Sequence, residues 1–146
     1  MFAEPYLRDH FGGAFSLDSL SGVAHAFVFL PGAFTPVCTA EIGELDGYAK
    51  QLANEGMPVF GISCDSPQVL NHWREQTGIT LPLLSDFWPH GEFSRAFNAF
   101  NEEDGRSRRV SLVRGPHGCV TWRDEAPLSE ARNMARLASA LRAVAE

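Results

Sequence analysis

Residues 29–41 read Phe-Leu-Pro-Gly-Ala-Phe-Thr-Pro-Val-Cys-Thr-Ala-Glu. An apolar run over 24–30 stops at Pro31 and Gly32, and a short connection leads into a helix. Thr35 followed by Pro36 is the start signal. Thr is a favoured N-cap, and Pro suits the first helical position because its missing N–H has no partner there. Cys38 is then the third helical residue, where a capping box would carry Glu or Gln. The first four N–H groups of a helix lack internal partners and hold about half a positive charge. A thiolate is favoured in such a field, and the thiolate is the nucleophilic form of cysteine. A buried, inert thiol competes with this reading, since free cysteines are among the most buried residues.

Outward from that stretch, the chain alternates. The run over 24–30 is continuous, as in a strand covered on both faces. The helix after it carries Ile42, Leu45, Tyr48, Ala49 and Leu52 on one face and should stop near Gly56. Residues 57–63 form a second buried strand, which completes a βαβ unit with parallel strands. Ser66-Pro67 starts another helix, with Val69, Leu70, Trp73 and Thr77 facing inward. A short strand near 81–85 runs into an aromatic turn. Residues 93–100 place Phe93, Ala96, Phe97 and Phe100 at helical spacing. Residues 109–114 and 119–123 form a hairpin across Gly115-Pro116-His117-Gly118. A last helix over 130–145 turns Met134, Leu137, Ala138, Leu141 and Val144 inward. Upstream, Phe11, Phe15, Leu17 and Leu20 suit a short hairpin or edge strand around Gly12-Gly13. The pattern is α/β, a mixed sheet flanked by helices on both faces.

Composition excludes several classes. The 146 residues suit one domain with one core, and 45% hydrophobic with 21% charged residues is ordinary for a globular chain. A net charge of −6 argues against a nucleic-acid surface. Basic residues cluster at Arg106, Arg108, Arg109 and Arg114, and for most of them the reading is a solvated loop beside a strand. No stretch approaches the length of about 18 apolar residues that spans a membrane, and residues 1–10 lack the apolar centre of a secretory signal. Cys38, Cys64 and Cys119 are too few and too far apart for a disulfide scaffold, which fits a reducing, cytoplasmic compartment. The five histidines show no ligand spacing, so no metal and no cofactor are expected.

Pro31, Thr35 and Cys38 stand as Pro-x-x-x-Thr-x-x-Cys, with Phe34 and Pro36 between them and Glu41 after. This resembles the active-site signature of the peroxiredoxins, cysteine peroxidases on a thioredoxin-like fold. Ser66-Pro67…Trp73 and Pro-Leu-Leu-Ser-Asp at 82–86 extend the likeness. Ser-Asp-Phe-Trp-Pro-His-Gly at 85–91 is most similar to the one-cysteine, AhpE-like group. The resemblance covers about residues 23–144. The usual Ala-Pro-Asp-Phe-like element is not found, so 1–22 reads as a shortened or diverged segment.

The resemblance implies a thiol-dependent peroxidase whose Cys38 attacks hydrogen peroxide or an organic hydroperoxide and becomes a sulfenic acid. Thr35 would offer its hydroxyl to the sulfur or the peroxide. The N–H groups of Val37 and Cys38 would stabilise the leaving oxygen, and Pro31 would exclude water. The family places an Arg at the start of the strand after an acidic turn. Arg109 fits; Arg108, one residue off, would face the other side of an extended chain. Glu41, one turn on from Cys38, would anchor that Arg. The family's local resolving position holds Gly43, and Cys64 and Cys119 lie outside any family resolving pattern, as structural thiols or less favoured resolving ones. An external thiol, of the thioredoxin or mycoredoxin kind, would then regenerate the enzyme. The AhpE-like resemblance also implies a homodimer through the loops near Thr35 and Phe87-Trp88. Two other readings are a redox sensor on the same fold and a thioredoxin-type oxidoreductase. The latter is weakened by Glu41, where Cys-x-x-Cys needs its second sulfur.

Overall fold

The computed structural model describes residues 7–145. An interior strand, β3 (His25–Phe29), is buried along its whole length: the apolar run over 26–29 fits a strand covered on both faces, and His25 is buried with it. Around it lie β1 (Leu7–Asp9), β2 (Ala14–Phe15), β4 (Val59–Ser63), β5 (Leu83–Ser85), β8 (Val110–Arg114) and β9 (Val120–Glu125). They form one seven-stranded sheet in the order β2-β1-β5-β4-β3-β8-β9. β3 pairs parallel with β4 and antiparallel with β8, so the sheet is mixed. A separate ribbon joins β6 (Phe100–Asn101) to β7 (Arg106–Ser107).

The two-residue alternation of β3 divides the core. Ala26 and Val28, with Leu30 just beyond, face α1 (Pro36–Asn54), α2 (Pro67–Thr77) and α4 (Met134–Ala145) through Ile42, Leu45, Leu70, Trp73, Leu137 and Leu141. Phe27 and Phe29 face the other way, toward Phe93 on α3 (Glu92–Ala96), Ile62, Leu84 and Leu112. Helices therefore cover both faces. Truncating a fully buried residue such as Leu45 to Ala should cost roughly 2–5 kcal/mol.

Helix ends follow their residues. α1 stops at a Schellman motif: Met57 N–H donates to Leu52 O (2.9 Å) and Gly56 N–H to Ala53 O (3.0 Å). Gly56 supplies the left-handed φ of 85° that this ending needs. Ser66 Oγ caps α2 by accepting from Val69 N–H at 3.3 Å.

Four expectations change. Val69 is 38% exposed, because it lies about a quarter-turn away from the Leu70–Trp73–Thr77 stripe. The helix expected over 93–100 ends at Ala96. Asn98 takes a left-handed φ of 53°, Ala96 is exposed, and Phe100 is a strand residue. The last helix begins at Met134 rather than 130; Asn133 Oδ1 accepts from Arg136 N–H (3.1 Å) at its start, and Val144 is only half-buried. Upstream, β1 and β2 form the hairpin around Gly12-Gly13, but Phe11 is 78% exposed and Leu17–Leu20 is a 3-10 turn. Of the diverged segment 1–22 and the region read for a signal, residues 1–6 lie outside the described residues.

Candidate active site

α1 begins where the sequence places it. Thr35 is the N-cap residue, Pro36 opens the helix, and Thr39 N–H closes the first helical bond onto Thr35 O at 2.9 Å. Val37 and Cys38 therefore precede the ladder, and their N–H groups belong to the electropositive end of a 19-residue helix. Cys38 has no exposed surface.

Arg108 and Arg109 stand between β7 and β8, in a bend where Val110 N–H donates to Arg108 O at 2.9 Å, and only one of them meets the sulfur. Arg109 is buried, and its Nη1 donates to Cys38 Sγ at 3.5 Å and to Glu41 Oε1. Its Nη2 donates to Leu128 O at 3.2 Å. Arg108 points elsewhere, to Glu125 (2.9 Å) and the carbonyls of Asn98 (2.6 Å) and Phe100 (3.1 Å). Arg109 Nε is buried and has no partner among the described residues.

Glu41 is held on its far side by a residue that sequence reasoning missed. Arg132 donates its backbone N–H to Glu41 Oε2 at 3.0 Å and Nη2 to Oε1 at 3.3 Å. The same guanidinium reaches Phe29 O (2.5 Å), Val110 O (3.1 Å) and Ser111 Oγ (3.1 Å). It thereby ties β3, β8 and α1 together. Burial pulls the pKa of Arg132 down from its ordinary value, and Glu41 is the largest opposing influence. Two buried guanidiniums against one carboxylate leave one positive charge. An anion on Cys38 Sγ balances it, so the cluster is neutral only with the sulfur ionised.

The remaining candidates are placed less simply. Pro31 is buried, at the end of β3. Thr35 departs from expectation: its side chain makes no cap bond, and Oγ1 donates to Gly32 O at 2.6 Å. Its proton is committed there, so toward a bound molecule the oxygen is an acceptor. Phe34 is half exposed and adopts a left-handed φ of 64°, its ring 5.8 Å from that of His72. Cys64 is buried at the end of β4 against Ser107 Oγ (3.6 Å), and burial pushes its thiol up to about 11. Cys119 is exposed at the β8–β9 turn.

Arg132 leaves little trace in the sequence. It sits in an irregular stretch 91 residues from the carboxylate it contacts. Its one signal was a cation near the start of an otherwise apolar-faced helix.

The arrangement thus offers a buried sulfur, a paired cation touching it, a hydroxyl acceptor and a helix N-terminus. Comparison with known proteins points the same way. The model of the AhpC/TSA family matches residues 2–123. Alkyl hydroperoxide reductase E of Mycobacterium tuberculosis is 33% identical over 139 residues, covering 94% of this chain and 91% of that protein. 1-Cys peroxiredoxin PER1 of Zea mays is 30% identical over 144 residues, covering 84% of this chain and 62% of the relative. The crystal structure of Enterococcus faecalis AhpC superposes with a TM-score of 0.85 at 27% identity, over 98% of this chain and 88% of that one.

Proposed function

The chain belongs to the AhpC/TSA family of peroxiredoxins and is a thiol-dependent peroxidase, and on that premise we propose how its residues divide the work. Cys38 is the peroxidatic cysteine. Its thiolate attacks the nearer peroxide oxygen; the S–O bond forms as the O–O bond breaks. The sulfur gives up two electrons, and the departing alkoxide or hydroxide takes a proton to leave as alcohol or water. Arg109 holds the two oxygens and the sulfur in line and stabilises the developing charge. Its unpartnered Nε gains an acceptor when a peroxide oxygen sits beside it. Thr35 Oγ1 accepts the peroxide O–H. Val37 and Cys38 N–H groups supply the helix-end field, Pro31 and Phe34 wall the mouth, and Glu41 with Arg132 keeps Arg109 in place.

The sulfenic acid on Cys38 is then reduced by two equivalents of an external thiol, of the thioredoxin or mycoredoxin kind. The first forms a mixed disulfide and releases water; the second releases Cys38 as thiol and leaves the reductant as disulfide. Cys64 and Cys119 take no part. A cytoplasmic, reducing setting suits that chemistry, and 1–146 acts as a single domain. Phe34, Phe87 and Trp88, exposed by 50%, 49% and 74%, suit the contact face of a homodimer. Trp88→Glu should then halve the mass seen by light scattering. An unchanged mass would remove that face from consideration.

The observation that carries this reading is Arg109 Nη1 at 3.5 Å from a fully buried Cys38 Sγ. The test is consumption of hydrogen peroxide and of cumene hydroperoxide by reduced protein with dithiothreitol. Turnover should vanish in Cys38→Ser, and normal turnover in that variant would refute the assignment.

A further inference from the structure

Cys38 has no exposed surface, yet its sulfenic acid must be reached in line by a thiol from another molecule. The closed geometry that serves attack on a small peroxide cannot serve reduction. The segment 31–38 has to move between the two half-reactions, so whatever holds it closed sets the balance between them.

That segment is not held by its own preferences. Phe34 sits at a φ of 64°, a left-handed conformation that strains a non-glycine residue. One residue before it, Ala33 N–H donates to Asp65 Oδ2 at 2.8 Å, across 32 residues of chain. Asp65 is itself fixed. Its Oδ2 also accepts from Ser63 Oγ at 2.8 Å, its N–H donates to Ser63 Oγ at 3.2 Å, and its carbonyl accepts from Ser85 Oγ at 2.6 Å. Ser63 and Ser85 are the last residues of the adjacent strands β4 and β5, and both are buried. The strained loop is therefore fastened to the rigid end of the sheet through one carboxylate. The other holds lie elsewhere along the segment or make no hydrogen bond to the sheet end: the Thr35–Gly32 bond lies within the loop, the Phe34 ring packs on α2 from a half-exposed position, Ala33 packs against the core, and Arg109 meets Cys38 Sγ at the far end.

We propose that Asp65 is a positioning residue that sets the balance between a closed loop, in which Cys38 meets Arg109 and attacks peroxide, and an opened loop, in which oxidised Cys38 is reached by the reducing thiol. The proposal rests on the peroxidase reading above. A charge-assisted hydrogen bond to Ala33 N–H opposes the strain at Phe34. Without it, the closed form loses population and the opened form gains.

The two half-reactions should then move in opposite directions, which a general loss of stability would not produce. Oxidation is followed by rapid quench and intact mass after one equivalent of hydrogen peroxide. Reduction is followed on the oxidised protein with dithiothreitol. Asp65→Ala should oxidise about tenfold more slowly and be reduced about threefold faster, the range set by one hydrogen bond to a charged acceptor. Asp65→Asn, which keeps an acceptor oxygen, should restore both rates to within about threefold of the parent. Ser63→Ala, which loosens Asp65 without touching the loop, should shift both rates the same way but less, and it decides the matter if Asp65→Ala does not fold. Rates that are unchanged, or slowed alike in both halves, overturn the proposal. Cys38→Ser in the same assay separates the two levels. If it still consumes peroxide, the peroxidase assignment fails; if it is inert while the Asp65 and Ser63 variants behave as the parent, only the role of Asp65 fails.

Discussion

Two buried thiols lie at the ends of neighbouring elements, and their surroundings make them opposites. Cys38 opens α1 with Arg109 against its sulfur and Arg132 behind Glu41, so a negative charge there completes a neutral cluster. Cys64 follows β4 directly, among hydroxyls and carboxylates: Ser107 Oγ lies 3.6 Å away, Ser94 Oγ lies 2.7 Å from Ser107 Oγ, and Asp86 and Asp65 add negative charge. Burial, the largest cause, and those two carboxylates together push Cys64 up to about 11. Both thiols are buried, and what separates their surroundings is the sign of the charge that shares the burial.

The largest effect is expected from Cys38 itself. Cys38→Ser should reduce peroxide consumption to the uncatalysed level, while Cys64→Ser should keep it within about twofold, since Cys64 contributes no anion at neutral pH. Steady-state assays of the pair break the contrast if both variants lose activity. Next comes the cation. Arg109→Ala removes the donor on the sulfur and should cost about a hundredfold in kcat/KM for peroxide.

Glu41 sharpens the contrast by stability. Glu41→Ala leaves two buried guanidiniums facing each other, so urea unfolding should show a loss of about 3–5 kcal/mol. Glu41→Gln should fall between that variant and the parent. Alkylation by iodoacetamide gives a further comparison: at pH 8 the exposed Cys119 should label and Cys64 should not, labelling only as pH approaches 11.

The smallest effect lies away from both thiols. His25 donates Nδ1–H to Val23 O at 2.8 Å and turns Nε2 toward Arg114, 3.3 Å away. Burial, then Arg114, lowers its pKa from the ordinary 6.5. The unfolded chain therefore takes up the proton more readily, so the contribution to stability is full above pH 6.5 and is lost as pH falls through the lowered value. Urea midpoints should drop between pH 7.5 and 5.5 in the parent and drop less in His25→Gln.

Legibility in the sequence followed range along the chain. Thr35-Pro36 marks a helix start and Gly56 a helix end because both act through neighbouring backbone groups. Strand alternation carried back from β8 picks the inward residue as 109, although Arg109 itself lies in the bend just before that strand. Arg132 escaped notice because its importance comes from one carboxylate on a remote helix, and the stretch around it has no period. The helix expected to begin at 130 starts four residues later, after the segment that places Arg132 on Glu41. Likewise, nothing near Thr35 announces that its hydroxyl turns back to Gly32, or that Asp65 reaches over to Ala33.

The most direct measurement exposes fully reduced protein to one equivalent of hydrogen peroxide in the presence of dimedone and locates the adduct by peptide mass spectrometry. A single adduct on the peptide that holds Cys38, with Cys64 and Cys119 still as thiols, is the expected result. An adduct or added oxygen first on Cys64 or Cys119 would contradict the division of roles between the two buried sulfurs.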